Sequence, residues 1–276
     1  MSSPRPGNEG GVALAATLHD ASGALRGTIR RQLPALRARY DAITVTTSPP
    51  THASVQELLA ELGIHGGTPR TNARGPLYRL ALRRALASGA TAVHYLDFDR
   101  ALHWVETRPR ELSAVLRLAT CHPAVLLGRT VGAHRSHHRA LFETERLANR
   151  ALAARLGTRR RVDFLVPSFI LTRPLTRALV RRSRAYDAGL YGEWPALLAT
   201  LGEPLVYREC RGLDWETPDR ARAEVRRMGL AAWRRRFDTP DEWRVREVMA
   251  GEFLRGFDAT LARAGIRRPR LTLRAG

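Results

Sequence analysis

From residue 11 onward, apolar runs of β type alternate with segments whose apolar positions recur at helical spacing. This alternation predicts a parallel-type sheet with crossover helices. Residues 12–18 form a nearly continuous apolar run and read as the first strand. Leu25, Ile29, Leu33 and Leu36 then share one face of a helix from residue 22 or 23 to about 39. A second strand, 42–47, is stopped by Ser48-Pro49-Pro50. A helix over 55–62 ends near Gly63, and Gly66-Gly67-Thr68-Pro69 makes a turn at a short strand. The helix over 75–88 carries Leu77, Leu80, Ala81 and Ala85 on one face, and Gly89 ends it by supplying a left-handed residue. The apolar run 90–96 is the next strand.

The second half is less regular. It predicts a helix over 109–119, a strand at 124–127, and a helix over 142–156 with Leu147, Leu152 and Leu156 inward. Residues 164–171 read as strand or extended loop, 174–182 as helix, 193–201 as a short helix ended by Gly202, and 204–208 as strand. Thr217-Pro218-Asp219 has the residue order of a helix start. A last helix, 241–264, lines up Val245, Met249, Phe253, Phe257 and Leu261.

The chemistry gathers at the end of the 90–96 run, in His94-Tyr95-Leu96-Asp97-Phe98-Asp99-Arg100. An extended backbone puts positions i and i+2 on one face, so Asp97 and Asp99 point together while Phe98 enters the fold. Two carboxylates at the carboxyl end of a buried strand suit a divalent cation that bridges the protein to a diphosphate. The plainer alternative has Asp99 capping the next helix and Asp97 solvated. Arg70 and Arg74 precede a helix start, where free N–H groups and a two-pronged guanidinium favour an anion.

Composition narrows this. The 276-residue chain is 44% apolar, enough for one large domain. No run approaches the roughly twenty apolar residues of a membrane span, and residues 1–10 are polar, which leads us to expect a cytoplasmic protein with a flexible tail at 1–10. Cys121 and Cys210, without metal or disulfide spacing, are expected in the core. The formal charge of +20 comes with 46 basic residues, every one an arginine. Abundant Ala and Leu beside them fit a coding bias as well as a selected surface. The densest window, 134–161, holds eight Arg against two Glu, with His134, His137 and His138 at its start. It reads as a solvated helix face or an anion-binding face, and the histidines as a surface loop. No interleaved aromatics of a single-strand nucleic-acid binder accompany it, so nucleic acid is not the expected partner.

The strand order, the segment Arg70-Thr71-Asn72-Ala73-Arg74-Gly75 leading into a helix, and the strand ending in Asp97-Phe98-Asp99 together resemble nucleotide-sugar glycosyltransferases of the GT-A fold, family 2-like. The resemblance covers about residues 11–215. It implies an α/β, Rossmann-related, mainly parallel mixed sheet flanked by helices, in one catalytic domain over 11–240. Residues 11–130 would be its nucleotide and metal half and 131–240 its acceptor half, followed by a helix and tail at 241–276. It further implies Mg²⁺ or Mn²⁺ on Asp99 with Asp97 on the metal or the donor ribose. Asp20, Thr47, Arg70 and Arg74 would lie on the nucleotide diphosphate sugar. The family's acid after the second strand is replaced here by Thr46, Thr47 and Ser48. Glu193, opening a helix in Tyr191-Gly192-Glu193-Trp194-Pro195, matches the family's general base, although Trp194 stands where a second acid is usual. Asp214 and Trp215 lie in a loop placed to cover donor or acceptor, with Trp215 on a sugar face or in a helix-entry staple. His103 and Trp104 follow the acid pair and are placed to line the site, with core packing the favoured alternative for Trp104. The acceptor is unspecified; an anionic or lipid-linked one would draw the basic surface to the inner membrane face without insertion. A non-catalytic nucleotide- or partner-binding protein of this fold and a basic nucleic-acid binder are the competing readings.

Overall fold

Strand β1 (Val12–Leu18) is buried along its whole length because it lies inside the sheet, between two parallel neighbours. The computed structural model describes residues 11–267, 269 and 271–275, so the tail expected at 1–10 falls outside the described residues. After β1 come α1 (Arg26–Arg37), β2 (Ala42–Thr47), α2 (Ala53–Glu61), β3 (His65–Gly67), α3 (Arg74–Leu86) and β4 (Ala92–Asp97). Next are α4 (Phe98–Thr107), α5 (Pro109–Leu116), β5 (Ala124–Arg129), α6 (Val131–Ser136), α7 (Arg139–Arg155), β6 (Phe169–Thr172) and α8 (Arg173–Arg182). The chain closes with α9 (Leu190–Leu201), β7 (Leu205–Cys210), α10 (Arg222–Met228), α11 (Leu230–Arg235), α12 (Pro240–Ala264) and β8 (Leu273–Ala275). Short 3₁₀ turns lie at Arg117–Thr120 and Thr217–Ala221.

The sheet has eight strands in the order β3-β2-β1-β4-β6-β5-β7-β8. All pairings are parallel except those of β6, which runs antiparallel between β4 and β5. This is the mainly parallel mixed sheet that the resemblance implied. The period-2 alternation of each strand splits the core into two layers. Ala13, Ala15, Val93 and Tyr95 face a cluster with residues of α3, α7, α9 and α12. Val12, Leu14, Ala16 and Leu96 face another with α1, α2, α4 and α5. Trp104 is fully buried in the second layer, as expected. No helix among the described residues is long and apolar enough to cross a membrane.

Several expectations need correction. The division at residue 240 cuts through the core: α12 buries Phe253 and Phe257 against α9, and β8 pairs with β7. The approach is so close that a Cβ on Gly192 would meet the Phe253 carbonyl oxygen at 1.8 Å. Losing a fully buried phenylalanine such as Phe257 costs about 3–5 kcal/mol, so the helix belongs to the domain. Leu147 and Val245 face solvent. On α7 the buried stripe runs through Leu141, Thr144, Ala148 and Leu152, one step round the helix from Leu147. On α12, burial starts only at Phe253. Cys121 is exposed after the turn that follows α5, whereas Cys210 is in the core. His134, His137 and His138 are buried, not in a surface loop.

Candidate active site

The carboxyl ends of β1 and β4 meet in register, Thr17 opposite Asp97. The Thr17 hydroxyl donates to Asp97 Oδ1 at 2.9 Å. The hydroxyls of Tyr78 and Tyr95 also donate to that oxygen, each at 3.3 Å. Tyr191 joins the cluster through Tyr78, hydroxyl to hydroxyl at 2.7 Å. Desolvation pushes the Asp97 carboxyl up to about 6; Arg100 draws it down and Asp99 raises it.

The chain turns into α4 immediately after Asp97, with Phe98 fully buried. Asp99 therefore sits in a first helical turn and not on an extended strand. Its Oδ1 accepts the N–H of Arg100 at 2.9 Å, so part of the helix-capping alternative is realised. Its Oδ2 faces Arg220 at 2.5 Å. Both acids still line one cavity of ≈ 370 Å³ with Thr17, His19, Ser48 and Arg74. This is the place where open α/β sheets hold ligands.

A second cavity of ≈ 260 Å³ adjoins the first, and Arg74, Asp97, Tyr191 and Glu216 line both. Its further walls include Arg100, Arg129, His138 and Arg246. Glu216 is buried; Arg100 donates to Oε1 at 3.4 Å, and Oε2 has no hydrogen-bond partner among the described residues. An unpartnered buried carboxylate oxygen on a residue that lines both cavities is costly unless a ligand or water reaches it.

The acid pair fits a hard divalent cation in donor chemistry. The Arg220 guanidinium already stands on Asp99 as a cation. Among the described residues no group of three or more His, Cys, Asp or Glu is placed to hold a metal alone. Two carboxylates would therefore need ligand phosphates to complete the shell, as is common for Mg²⁺.

Other expected site residues lie elsewhere. Glu193 is fully buried and takes hydrogen bonds from Ser183 Oγ (2.5 Å), the Arg184 N–H (2.7 Å) and Arg263 (2.9 Å). It faces a separate surface pocket with Arg184 and Arg263, so it ties α8 to α9 and is not placed to act as base. Asp20 is buried and caps the next turn, accepting from the N–H groups of Ala24 (3.2 Å) and Leu25 (2.9 Å). Thr47 bonds Thr68 at 2.6 Å, and its neighbour Ser48 lines the cavity instead. Arg70 is exposed and lines neither cavity; Arg74 lines both. Gly75 serves packing, since a Cβ there would meet the Ala185 carbonyl oxygen at 1.9 Å.

Asp214 bonds His103 at 3.0 Å, and the other His103 nitrogen meets Asp219 at 2.7 Å. Although burial pulls His103 down, these two partners push it up to about 9. His103 thus braces the loop and does not line the cavities. Trp215 forms part of the second cavity wall, with its ring packed among Trp233, Phe237 and His138. Sequence reasoning overlooked Tyr78, Tyr95, Glu216 and Arg220. Tyr95 was readable, because it shares a strand face with Asp97 at i and i+2.

The arginine-rich window forms a further cavity of ≈ 590 Å³ with Val131, Phe142 and Val162 in its lining and Arg135, Arg150 and Arg159 around it. Arg129, whose Nε donates to Asp163 at 2.6 Å and whose Nη2 bonds Glu145, lies in the layer between this cavity and the second one. Arg129 holds the buried Asp163 carboxyl far below its ordinary range against desolvation.

No protein-family model matches the sequence, and no curated protein matches it. Solved structures of glucosyl-3-phosphoglycerate synthase from Mycobacterium tuberculosis do match the fold. One has a TM-score of 0.53 at 16% identity over 94% of this chain and 82% of that one. A complex of that protein with UDP has a TM-score of 0.49 at 16% identity, covering 96% and 87% of the two chains. A complex with Mn²⁺, UDP-glucose and phosphoglyceric acid has 0.48 at 15% identity, covering 94% and 81%. With its mostly parallel eight-stranded sheet and flanking helices, the chain has the GT-A-like fold of nucleotide-sugar glycosyltransferases.

Proposed function

We propose that this protein transfers a sugar from a nucleotide diphosphate sugar in the Asp97–Asp99 cavity to an acceptor in the adjoining cavity. The observation that carries the reading is the seam: Arg74, Asp97, Tyr191 and Glu216 belong to both cavities, so two ligands would meet there. Asp97 and Asp99 would hold Mg²⁺ or Mn²⁺, which when bound supplies positive charge against a departing diphosphate. Arg74, at the first residue of α3, would hold phosphate oxygens. The three hydroxyls on Asp97 Oδ1 fix that carboxylate and leave Oδ2 toward the cavity. Glu216 Oε2, unpartnered among the described residues, would accept a hydrogen bond from an acceptor hydroxyl that reaches it. An anionic acceptor in the second cavity would meet Arg246, paired with Glu242, and Arg100, paired with Glu216. The name of the like-folded protein, glucosyl-3-phosphoglycerate synthase, makes a glucose donor and phosphoglycerate the first pair to try.

The test is release of UDP from a panel of nucleotide sugars with Mn²⁺, with and without phosphorylated acceptors, in wild type and Asp99→Asn. Turnover in wild type that falls at least ~10²-fold in the variant is expected, since the cation is worth several kcal/mol. Nucleotide binding without turnover on any donor would make the chain a non-catalytic binder.

A further inference from the structure

Asp99 Oδ2 is already held by a cation of the protein's own. Arg220 Nη2 donates to it at 2.5 Å, while Nη1 donates to the His19 carbonyl oxygen at 2.5 Å and lies 3.9 Å from Asp20 Oδ1. One guanidinium thus links the end of β1 to the start of α4 across the cavity it lines. Two of the neighbouring oxygens are taken, Asp97 Oδ1 by three hydroxyls and Asp99 Oδ1 by the Arg100 N–H, which leaves Asp97 Oδ2 and Asp99 Oδ2 for a metal ion. A metal ion held by both acids needs Asp99 Oδ2, and two cations cannot share that oxygen at contact distance without strong repulsion.

Resting on the donor-and-metal reading above, we propose that Arg220 and a divalent cation are alternative occupants of Asp99. The metal then binds well only together with a nucleotide diphosphate, whose oxygens take the guanidinium from the carboxylate. Arg220 is built for such an exchange. It sits on the half-buried 3₁₀ turn Thr217–Ala221, and the turn is moored independently to α4 by Asp219 on His103 at 2.7 Å and by Arg222 on Glu106 at 2.9 Å. The side chain can swing while the turn stays. A guanidinium that leaves a single carboxylate oxygen for a diphosphate gains an acceptor that matches its two-pronged donor edge. Removing its charge should therefore strengthen metal binding to the ligand-free protein, the reverse of what loss of a ligand-holding arginine does.

The experiment is titration of the full chain with Mn²⁺ alone and with Mn²⁺ plus UDP, followed by the electron spin resonance of free Mn²⁺. Wild type is compared with Arg220→Ala, Arg220→Gln, Arg220→Lys and Asp99→Asn. Arg220→Ala and Arg220→Gln are expected to bind Mn²⁺ alone at least ~10-fold more tightly than wild type, with less further gain from UDP, while Arg220→Lys stays near wild type. Arg220→Gln keeps a donor for the His19 carbonyl, so the comparison survives if the alanine variant folds poorly. Unchanged or weaker Mn²⁺ affinity in Arg220→Gln, with binding still lost in Asp99→Asn, overturns the exchange and leaves the metal site standing. Mn²⁺ binding that ignores Asp99→Asn even with UDP present overturns the metal site and the exchange together.

Discussion

The cavity at the ends of β1 and β4 and the arginine-rimmed cavity behind Arg129 differ in how their charge is balanced. In the first, each acid has an assigned partner: Asp97 three hydroxyls, Asp99 the guanidinium of Arg220, Glu216 that of Arg100. In the second, Arg146 and Arg161 pair with Glu143 and Glu209, whereas Arg150, Arg159 and Arg160 have no ion-pair partner among the described residues. Exposed charge costs little and accumulates freely in a chain whose basic residues are all arginine. Charge at a buried floor must be compensated, so its presence with arranged partners says more about function than a larger exposed surplus.

The comparison is broken most directly by charge changes on each side. Asp99→Asn should cut turnover at least ~10²-fold, while Arg150→Glu with Arg159→Glu should change it less than about twofold. Equal effects in a steady-state assay would mean that the arginine cavity serves the same reaction. The layer between the two is tested by Asp163→Asn, which leaves buried Arg129 underpaired. We expect a loss of about 3–5 kcal/mol in denaturant unfolding, and a loss under 1 kcal/mol would show that Glu145 suffices. Glu193→Gln should cost about 1.5–3 kcal/mol of stability, because its partners are two N–H groups, a hydroxyl and Arg263, with turnover per folded molecule unchanged. A variant that is stable but inactive would restore Glu193 as base.

The smallest effect concerns the mooring of the Arg220 turn. His103 is raised from an ordinary 6.5 to about 9, so its contribution to stability is full below pH 6.5 and is lost as pH rises through about 9. Thermal unfolding between pH 6 and 10 should show this fall, and His103→Gln should flatten it.

Much of the frame could be read from the chain. The apolar runs 12–18, 42–47 and 90–96 are bounded by Gly11, Ser48-Pro49-Pro50 and Gly89, so the strands that deliver Thr17, Ser48 and Asp97 were legible, as was the acid pair itself. The second half was harder because its buried stripe on α7 is built from Ala148, Asn149 and Glu145 as much as from Leu, which blurs the helical period. In the segment 191–195, one side of α9 turns Tyr191 to the cavities, and Glu193 goes to the Ser183 side.

The amino-acid order by itself determined the alternation of strands and helices, the polar start, the lack of a membrane-length apolar run, and two acids closing a central strand, because these depend on local periodicity and short-range spacing. Tertiary structure alone decided which acids share a cavity, that Glu216 and Arg220 arrive there from more than 110 residues away, and that Asp20 and Glu193 spend their oxygens on backbone N–H groups. Those outcomes depend on the crossing of elements and on burial, which set a side chain's partners and are not written in its neighbours along the chain.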